Sequence, residues 1–437
     1  MPQKKIFVVL LLVCTVSLVV HNRNFFSWTW EAIHLEYSAQ YSHTASDVKP
    51  KHTSIAFLET QKSTNSTIQN MNMDVFHLGS AISPRNNTQH LKPKHTNVVF
   101  LKTHKTAGTT VQNMLFRFCE RNGLTMALPS WRCDHQFCYP QFFSSQFVHP
   151  NTLPANMISN HMRFNENELK RLMPYNTKYI TILREPASTF ESLFTYYSAH
   201  AEAFRRVPGG SLEAFLADPL RYYQRGGGND MYARNTLTFD LGGDKDRPST
   251  DVAYAKAFVE EVERVFSLVM ISEYFDESLV LLRHLLSWDL EDILYVKLNM
   301  RTERSKKSLS PGLREKIRAW NSIDTHLYDY FNASFWVKLS KLGLDYVAKE
   351  VSLLQQAQER LMNSCFNGTL PVPLKASEIK NKELRPWQPN ENVDILGYEL
   401  PSNISSEAKR RCLKYILPEV PYTTKLLYSQ IRQRFRN

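Results

Sequence analysis

The sequence has few of the residues that mark disordered or metal-stabilised chains. Only 14 of its 437 residues are glycine and 12% are aromatic, which argues against a largely disordered chain. None of its six cysteines forms a CxxC pair or lies with histidine at metal-ligand spacing, so we predict no structural zinc and no metal cofactor. The length suits one large domain or two small ones.

Two further absences limit the class of function. No long block of lysine and arginine occurs, although the formal net charge is +11, so we predict no nucleic-acid partner. The charge suits a nucleotide, a sulfate ester or a membrane surface, and equally a solvated basic surface. The pattern G-x-x-x-x-G-K-[ST] is missing, which disfavours a P-loop kinase or NTPase.

The N-terminus carries a long uncharged segment, Ile6–Val20, preceded by Lys4 and Lys5. The two lysines favour a cytosolic N-terminus. The segment is shorter than the roughly 20 residues that span a bilayer, but the aromatic residues after it extend it toward the far interface. A cleaved signal peptide is the alternative. Because no A-x-A-like site follows, we predict a type II signal anchor, with residues 1–5 cytosolic, 6–23 in the membrane and the rest luminal.

Sequons and cysteines agree with a luminal location. The N-x-[ST] glycosylation triplet occurs at five asparagines, Asn65, Asn86, Asn332, Asn367 and Asn403. Cys133 with Cys138, and Cys365 with Cys412, are candidate disulfides, which leaves Cys119 free and buried. The sequence leaves open whether either bridge forms.

The remaining chain divides by composition. Residues 24–93 are polar and typical of a luminal stem. After them, candidate strands (97–103, 155–162, 178–185 and 266–275) alternate with candidate helices, and a helical region runs from 319 to about 362. We predict an α/β fold, a P-loop-like parallel sheet flanked by helices, in a catalytic domain at 94–350 with a helical C-terminal extension at 351–437. The basic helix that ends the chain either packs on the domain or lies on a membrane surface.

The turn LKTHKTAGTT, residues 101–110, joins a candidate strand to a helix. Backbone N–H groups, two hydroxyls and the Lys105 ammonium would surround one point, and Gly108 would let the backbone approach a ligand closely. We predict an anion site formed by Lys102, Thr103, Lys105, Thr106, Ala107, Gly108, Thr109 and Thr110.

A second candidate anion site follows the strand KYITIL. Arg184 ends this strand, and Ser192 would face it from the helix that begins at Pro186. Alternatively, Arg184 pairs with Glu185 or Glu191 and binds no ligand. Parallel strands end at one sheet edge, so two anion sites there suit a ligand with two separated phosphates.

These two motifs resemble the 5′-phosphosulfate and 3′-phosphate motifs of the Golgi sulfotransferases that use 3′-phosphoadenosine 5′-phosphosulfate (PAPS). With NHMRF, YARNTLTFDLG, ISEYFDESLVLL, KLNMR and AWNSIDTHLYDYFNASFW, the chain resembles more closely the galactose 3-O-sulfotransferases, the group that includes cerebroside sulfotransferase. The resemblance covers about 97–336, and is weaker near 387–398. One departure is Gly108, where that group is expected to have serine.

The resemblance implies a sulfotransferase fold and transfer of a sulfonyl group from PAPS to the 3-hydroxyl of a terminal β-galactose on a glycolipid or glycoprotein. It also implies a location in the Golgi; together with the predicted anchor, this gives a single-pass Golgi membrane protein. A homodimer is compatible with the sequence. The alternatives are a sulfotransferase that acts on another glycan hydroxyl and an inactive Golgi glycan-binding protein.

The implied mechanism requires a base for the sugar hydroxyl and cations for the leaving phosphate. His161 is the preferred base, because the related uronyl 2-O-sulfotransferases carry theirs at this separation from the arginine, and His104 is the alternative. Lys105 would stabilise the leaving phosphate. Further candidates for binding the acceptor sugar are Arg163, Arg234 and Asn235. Further candidates for binding the adenine or the 3′-phosphate are Lys297, Asn299 and Arg301.

A degenerate copy of the anion-site segment lies upstream. KPKHTSIAFLETQKSTNSTIQNM, residues 49–71, matches residues 92–114 at 13 of 23 positions. The copy keeps Lys62 but has Asn65, a sequon asparagine, where the site has Gly108. We predict a decayed duplication in the stem and one working site, centred on Lys105.

Overall fold

The structure, a computed structural model, describes residues 93–368, 371–391 and 393–435. These residues belong to a compact unit, Gly79–Asn437. The predicted cytosolic tail, membrane anchor, upstream repeat and sequons at Asn65 and Asn86 lie outside the described residues. Within the described ranges, no helix is long and apolar enough to cross a membrane.

A five-stranded parallel sheet forms the centre of the unit. Its strands are β1 (Val98–Leu101), β2 (Met126–Ala127), β3 (Met157–Ile158), β4 (Lys178–Leu183) and β5 (Leu268–Ile271). Their order is β2-β3-β1-β4-β5, with every pair parallel. Each residue of β1 is apolar and buried, as expected of a central strand covered on both faces. The predicted parallel α/β sheet is confirmed.

Fourteen helices are described, and they surround this sheet and a smaller one. In chain order they are α1 (Gly108–Arg121), α2 (Glu166–Leu172), α3 (Pro186–Tyr196), α4 (Glu202–Arg205), α5 (Leu212–Ala217), α6 (Pro219–Tyr222), α7 (Thr236–Asp240), α8 (Val252–Val265), α9 (Phe275–Leu286), α10 (Pro311–Trp320), α11 (Ser322–Leu342), α12 (Leu344–Phe366), α13 (Ser406–Ile416) and α14 (Glu419–Arg434). The second sheet is antiparallel, with β8 (Ile395–Gly397) between β6 (Met300–Arg301) and β7 (Leu374–Lys375). It ties the loop that contains Arg301 to the C-terminal extension.

Three elements differ from their predictions. The strand expected at 155–162 is confined to β3, because Asn160 leaves the ladder and donates to His135 O and to Thr423 Oγ1. The helical region from 319 to 362 is divided after Asn321 and at Gly343, whose φ of +99° is incompatible with a continuous helix. β2 was not predicted, since two residues are too few to produce a periodic signal.

The C-terminal extension is packed into the core. The predicted boundary at 350/351 lies inside α12, which continues without a break to Phe366. The final helix, α14, buries one face on the domain. Near its end, the Gln430 side chain accepts from Met126 N (2.8 Å) and donates to Met126 O (2.9 Å). The side-chain amide therefore makes the hydrogen bonds that a further strand beside β2 would make.

Both predicted disulfides are present. Cys133–Cys138 closes a short loop, and Cys365–Cys412 joins α12 to α13. Cys119 is free and buried, as predicted. The second bridge links segments 47 residues apart, so it holds the extension against the rest of the unit.

Candidate active site

A cavity of about 650 Å³ opens at the carboxyl ends of β1, β3, β4 and β5. Its walls include residues 102–109 after β1, His161 after β3, Arg184 after β4, and Ser272 after β5. Ser192, on α3, also lines it. Ligand pockets in proteins are commonly about 300–1,000 Å³, so the volume is sufficient for a nucleotide-sized molecule.

The N-terminus of α1 is open toward this cavity. Ala107, at the N-cap, has a left-handed backbone (φ 69°), no side chain caps the helix, and no acidic residue occurs in its first turn. Lys105 is also left-handed, with φ 61°. Non-glycine residues rarely adopt this conformation, and such strain clusters at ligand sites. The loop therefore presents uncapped N–H groups of a helix N-terminus, an arrangement that binds anions.

Lys105 lacks a carboxylate partner among the described residues. Its Nζ lies 3.6 Å from the centre of the Tyr196 ring. Burial, together with the neighbouring charges of Arg301, Arg184 and Lys102, holds the pKa of Lys105 well below its ordinary value. A bound anion would relieve this repulsion, so the site favours a negatively charged ligand.

Arg184 is also available to a ligand. Its Nη1 donates to the Lys105 carbonyl at 3.1 Å, which fixes the guanidinium beside the loop. The alternative partners are engaged elsewhere: Glu185 caps α3 and pairs with Arg314 and Arg318, while Glu191 pairs with Arg301. The pairing of Arg184 with Glu185 or Glu191, considered from the sequence, is therefore not formed.

The loop threonines hydrogen-bond within the protein. Thr103 Oγ1 donates to Ile182 O, Thr106 Oγ1 donates to Thr103 O, and the two hydroxyls lie 2.9 Å apart. Both residues line the cavity, but their hydroxyls hold the loop in shape. Thr110 lies outside the lining, and its Oγ1 accepts from Leu298 N at 3.2 Å. Each of the three hydroxyls bonds to a buried backbone group. That these loop residues contact the ligand stays a prediction.

Lys102 forms an ion pair that the sequence did not predict. Its Nζ contacts Glu419, the first residue of α14, and donates to Gln112 Oε1 at 3.0 Å. Burial lowers the pKa of Lys102, and Glu419 partly opposes that shift. A Cβ on Gly108 would lie 2.8 Å from Lys102 Cγ, so glycine here allows the lysine to cross the helix N-terminus.

Two stacked imidazoles line the cavity beside this loop. His104 and His161 lie 4.1 Å apart and nearly parallel. His161 Nδ1 is 3.0 Å from the Lys102 carbonyl, which can only accept, so this nitrogen carries the proton in the neutral ring. Burial first, then the charges of His104 and Lys102, hold the pKa of His161 well below its ordinary value. His161 is therefore a neutral ring at physiological pH.

His104 has a carboxylate partner that the sequence analysis missed. Its Nδ1 lies 2.9 Å from Asp240 Oδ2, and its backbone N–H donates to the same oxygen at 2.8 Å. Tyr139 OH donates to Asp240 Oδ1. The Nε2 atom of His104 is buried without a hydrogen-bond partner among the described residues. One ring nitrogen of His104 is thus bound to a carboxylate, and the other has no hydrogen-bond partner among the described residues. An oriented general base has this arrangement.

The residues predicted to hold the sugar do not line this cavity. Asn235 is fully buried; its side chain donates to Lys245 O and accepts from Ile323 N, so it organises the start of α11. The Arg163 guanidinium is 3.6 Å from the centre of the Phe142 ring. Arg234 lies over the Trp320 ring at 4.6 Å. Full burial argues against Asn235 as an acceptor-binding residue, whereas the assignment of Arg163 and Arg234 stays a prediction.

The later loop contributes two of its three candidates. Asn299 and Arg301 line the cavity, whereas Lys297 does not. The Lys297 carbonyl accepts from Tyr398 OH at 2.9 Å, which attaches this loop to the C-terminal extension. The extension also supplies Trp387 and Glu419 to the lining, which sequence reasoning missed because nothing in their neighbourhood forms a ligand motif.

The described sequons differ in accessibility. Asn367 and Asn403 are exposed, and their side chains are hydrogen-bonded to each other. Asn332 lies within α11, half-buried, and its enclosed Oδ1 has no hydrogen-bond partner in the described part of the chain. This placement argues against a glycan at Asn332. Among the described residues, no group of three or more His, Cys, Asp or Glu side chains could hold a metal ion.

The sequence matches characterised sulfotransferases. Residues 70–430 match the family model described as galactose-3-O-sulfotransferase. The bovine galactose-3-O-sulfotransferase 3 is 55% identical over 99% of this chain and 91% of that protein. The human galactosylceramide sulfotransferase is 44% identical over 71% and 73%, and the pig galactose-3-O-sulfotransferase 2 is 42% identical over 74% and 81%, respectively.

Among solved structures, a sulfotransferase from Alicyclobacillus acidocaldarius aligns with 54% of this chain and 97% of that chain, at 14% identity and a TM-score of 0.31. This similarity is too low to carry a conclusion. The family model, in contrast, spans the whole sheet, the cationic loop and the histidine pair. On the strength of that match and of the identity to three related enzymes, the chain belongs to the galactose-3-O-sulfotransferase family.

Proposed function

We propose that this protein transfers a sulfonyl group from PAPS to the 3-hydroxyl of a terminal β-galactose on a glycolipid or glycoprotein. The observation that carries the proposal is one cavity lined both by a cationic loop and by a carboxylate-bound histidine. Lys105 and Arg184, which form no ion pair within 4 Å among the described residues, suit the donor. Family membership supports the galactoside as acceptor.

The proposed donor position follows from the two anion sites. The uncapped N-terminus of α1 and Lys105 would bind the 5′-phosphosulfate, while Arg184 and Ser192 would bind the 3′-phosphate. During transfer the bond between sulfur and the bridging phosphate oxygen breaks, and sulfur bonds to the galactose O3. Negative charge then develops on the leaving phosphate, where Lys105 and the backbone N–H groups would stabilise it.

For the base we propose His104 rather than the initially preferred His161. The proton of the galactose hydroxyl must pass to an imidazole Nε2, which becomes positively charged. Asp240 stabilises that charge on His104, whereas burial and neighbouring cations oppose it on His161. His161, stacked on His104 as a neutral ring, would keep the base in its orientation.

The direct test is sulfate transfer from PAPS to a panel of β-galactosides, followed by linkage analysis of the product. The panel contains galactosylceramide, N-acetyllactosamine and a mucin-type core, since these differ only beyond the reacting sugar. Sulfate on the galactose 3-hydroxyl is expected. Sulfate on the 6-hydroxyl would show that the proposed position of transfer is wrong. Binding of galactosides without any transfer would indicate an inactive glycan-binding protein.

We further propose that the protein is a type II Golgi membrane protein with its catalytic unit in the lumen. The uncharged segment Ile6–Val20, the exposed sequons Asn367 and Asn403, and two disulfides support this location. Protease protection in sealed Golgi vesicles, with endoglycosidase-sensitive mobility, is the expected result. Digestion of the catalytic unit in intact vesicles would contradict the topology.

A further inference from the structure

Trp387 is an exposed aromatic side chain at the mouth of the active-site cavity. It comes from the C-terminal extension, far in sequence from the motifs of the site, and 55% of its surface is accessible. Leaving so large an apolar ring in water forfeits the stabilisation that burial would give. At the rim of a cavity that contains a reacting centre, such a ring is a candidate ligand-binding surface.

The segment around Trp387 is rigidly attached to the end of α3. His200 Nε2 donates to the Pro389 carbonyl at 2.9 Å, and Asn390 Nδ2 donates to the Tyr196 carbonyl at 3.2 Å. Within the extension, Gln388 accepts from Ile395 N at 2.8 Å and donates to Ile395 O at 3.0 Å, which joins the segment to β8. The ring is therefore held in place before any ligand binds, which reduces the entropy lost on binding.

A continuous series of aromatic rings connects Trp387 to the proposed base. The Trp387 ring lies 5.7 Å from Tyr196, Tyr196 lies 4.9 Å from Tyr197, and Tyr197 lies 6.2 Å from His104. Tyr196 also carries the Lys105 ammonium on its face. The contacts of Arg184, in contrast, are to a backbone carbonyl and to charged groups. The ring series thus leads from Trp387 to His104, the group proposed to contact the acceptor hydroxyl.

We propose that the indole of Trp387 packs against the apolar face of the acceptor sugar and so positions the galactose 3-hydroxyl for His104. One face of galactose presents C–H groups that suit the electron-rich face of an aromatic ring, and tryptophan offers the largest such face. This assignment rests on the proposed function, because it names a substrate-binding residue for the same reaction. It makes Trp387 a determinant of acceptor affinity.

The test compares Trp387→Ala and Trp387→Phe with the wild type in the full-length protein, with KM and kcat measured for both substrates. Trp387→Ala is expected to raise the galactoside KM about 10-fold, because the sugar loses both the apolar contact and the face of the ring. The PAPS KM should stay within about twofold, and Trp387→Phe should fall between the two. Trp131→Ala is the matched control: Trp131 is 58% exposed but lies outside the cavity lining.

Three results would overturn the proposal. An increase in the PAPS KM with an unchanged galactoside KM would assign the ring to the adenine of the donor. Unchanged constants for both substrates would remove Trp387 from binding. If thermal unfolding shows that Trp387→Ala does not fold, Trp387→Leu replaces it, because leucine keeps the apolar bulk. A wild-type galactoside KM in Trp387→Leu would show that the aromatic ring is not needed to bind the acceptor. Absence of any transfer by the wild type would instead refute the proposed function.

Discussion

At the scale of single residues, Lys105 has no ion-pair partner among the described residues, although Lys102 and Arg301 beside it each pair with a carboxylate. Lys105 lies on a tyrosine ring among other cations, in a left-handed backbone conformation. Both the repulsion and the backbone strain oppose folding, and an anionic ligand would relieve the repulsion. Activity and stability should therefore respond differently to substitution here.

Lys105→Ala should reduce sulfate transfer by at least about 100-fold, because it removes the charge that stabilises the leaving phosphate. The free energy of unfolding should be unchanged or increased, since a desolvated cation is lost from a cluster of cations. Transfer assays combined with urea unfolding check both parts. Lys62→Ala, at the matching position of the upstream copy, should transfer sulfate normally; a marked loss of activity there would indicate a second working site.

Asp240→Asn should lower kcat by about 100-fold or more with a small change in either KM, because the amide no longer stabilises a protonated His104. His104→Ala should be at least as impaired as Asp240→Asn, and His161→Ala less so. Steady-state kinetics for the three variants decide between the two bases. Greater loss in His161→Ala than in His104→Ala would return the base to His161.

The neutral state of His161 predicts acid sensitivity. Its pKa is lowered in the folded protein, so below about pH 6.5 the unfolded chain binds a proton that the folded chain does not. The free energy of unfolding therefore decreases as the pH falls below 6.5, because protonation of His161 favours the unfolded chain. Urea unfolding at pH 7.5 and 5.5 should show a smaller decrease for His161→Gln than for the wild type, by on the order of 1 kcal/mol. An equal decrease in both proteins would contradict the assigned neutral state.

At the scale of secondary structure elements, α14 connects the sheet edge to the anion site. Its first residue, Glu419, pairs with Lys102, and Gln430 near its other end bonds to the backbone of Met126. A basic amphipathic pattern at a chain terminus is equally compatible with a membrane surface. The buried contacts of this helix favour packing on the domain.

Gln430→Ala should lower the free energy of unfolding by about 1–3 kcal/mol, because it leaves a buried N–H and a buried carbonyl of Met126 without partners. Chemical denaturation provides the measurement. Gln433→Ala removes an exposed glutamine of the same helix and should change the value by less than about 0.5 kcal/mol. Equal effects of the two substitutions would exclude the edge contact as a source of stability.

At the scale of the whole described unit, the C-terminal extension is part of the active site as well as of the core. The Cys365–Cys412 bridge joins α12 to α13, and the following helix delivers Glu419 to the cavity. The loop between Lys297 and Arg301 is attached to the same extension through Tyr398 and β8. Removing residues after 350 would therefore open the site.

Replacing both Cys365 and Cys412 by serine should lower the free energy of unfolding by about 2–4 kcal/mol, as expected for the loss of a long disulfide loop. Thermal unfolding of the double variant under non-reducing conditions tests this. Transfer activity well below the melting temperature should persist, because the helices also pack through buried apolar side chains. A wild-type melting temperature would mean that the bridge does not constrain the unfolded chain.

The sequence by itself determined the parts that depend on neighbouring residues. A buried strand, a tight loop with Lys105 and Gly108, and a helix start are encoded in consecutive positions, and so is the pair Arg184 and Ser192. The disulfide partners were also identified correctly, because few cysteines remain to be paired. Local motifs of this kind keep their geometry wherever the chain places them.

Only the tertiary structure decided which distant residues complete the site. Glu419 lies 317 residues from Lys102, and Asp240 lies 136 residues from His104, so no local pattern could indicate either contact. The same holds for Asn235, whose buried hydrogen bonds removed it from the acceptor site. Each buried polar group must form hydrogen bonds with the groups that the fold places beside it, so long-range packing determines its partners. Those partners decide which side chains are structural and which are available for catalysis.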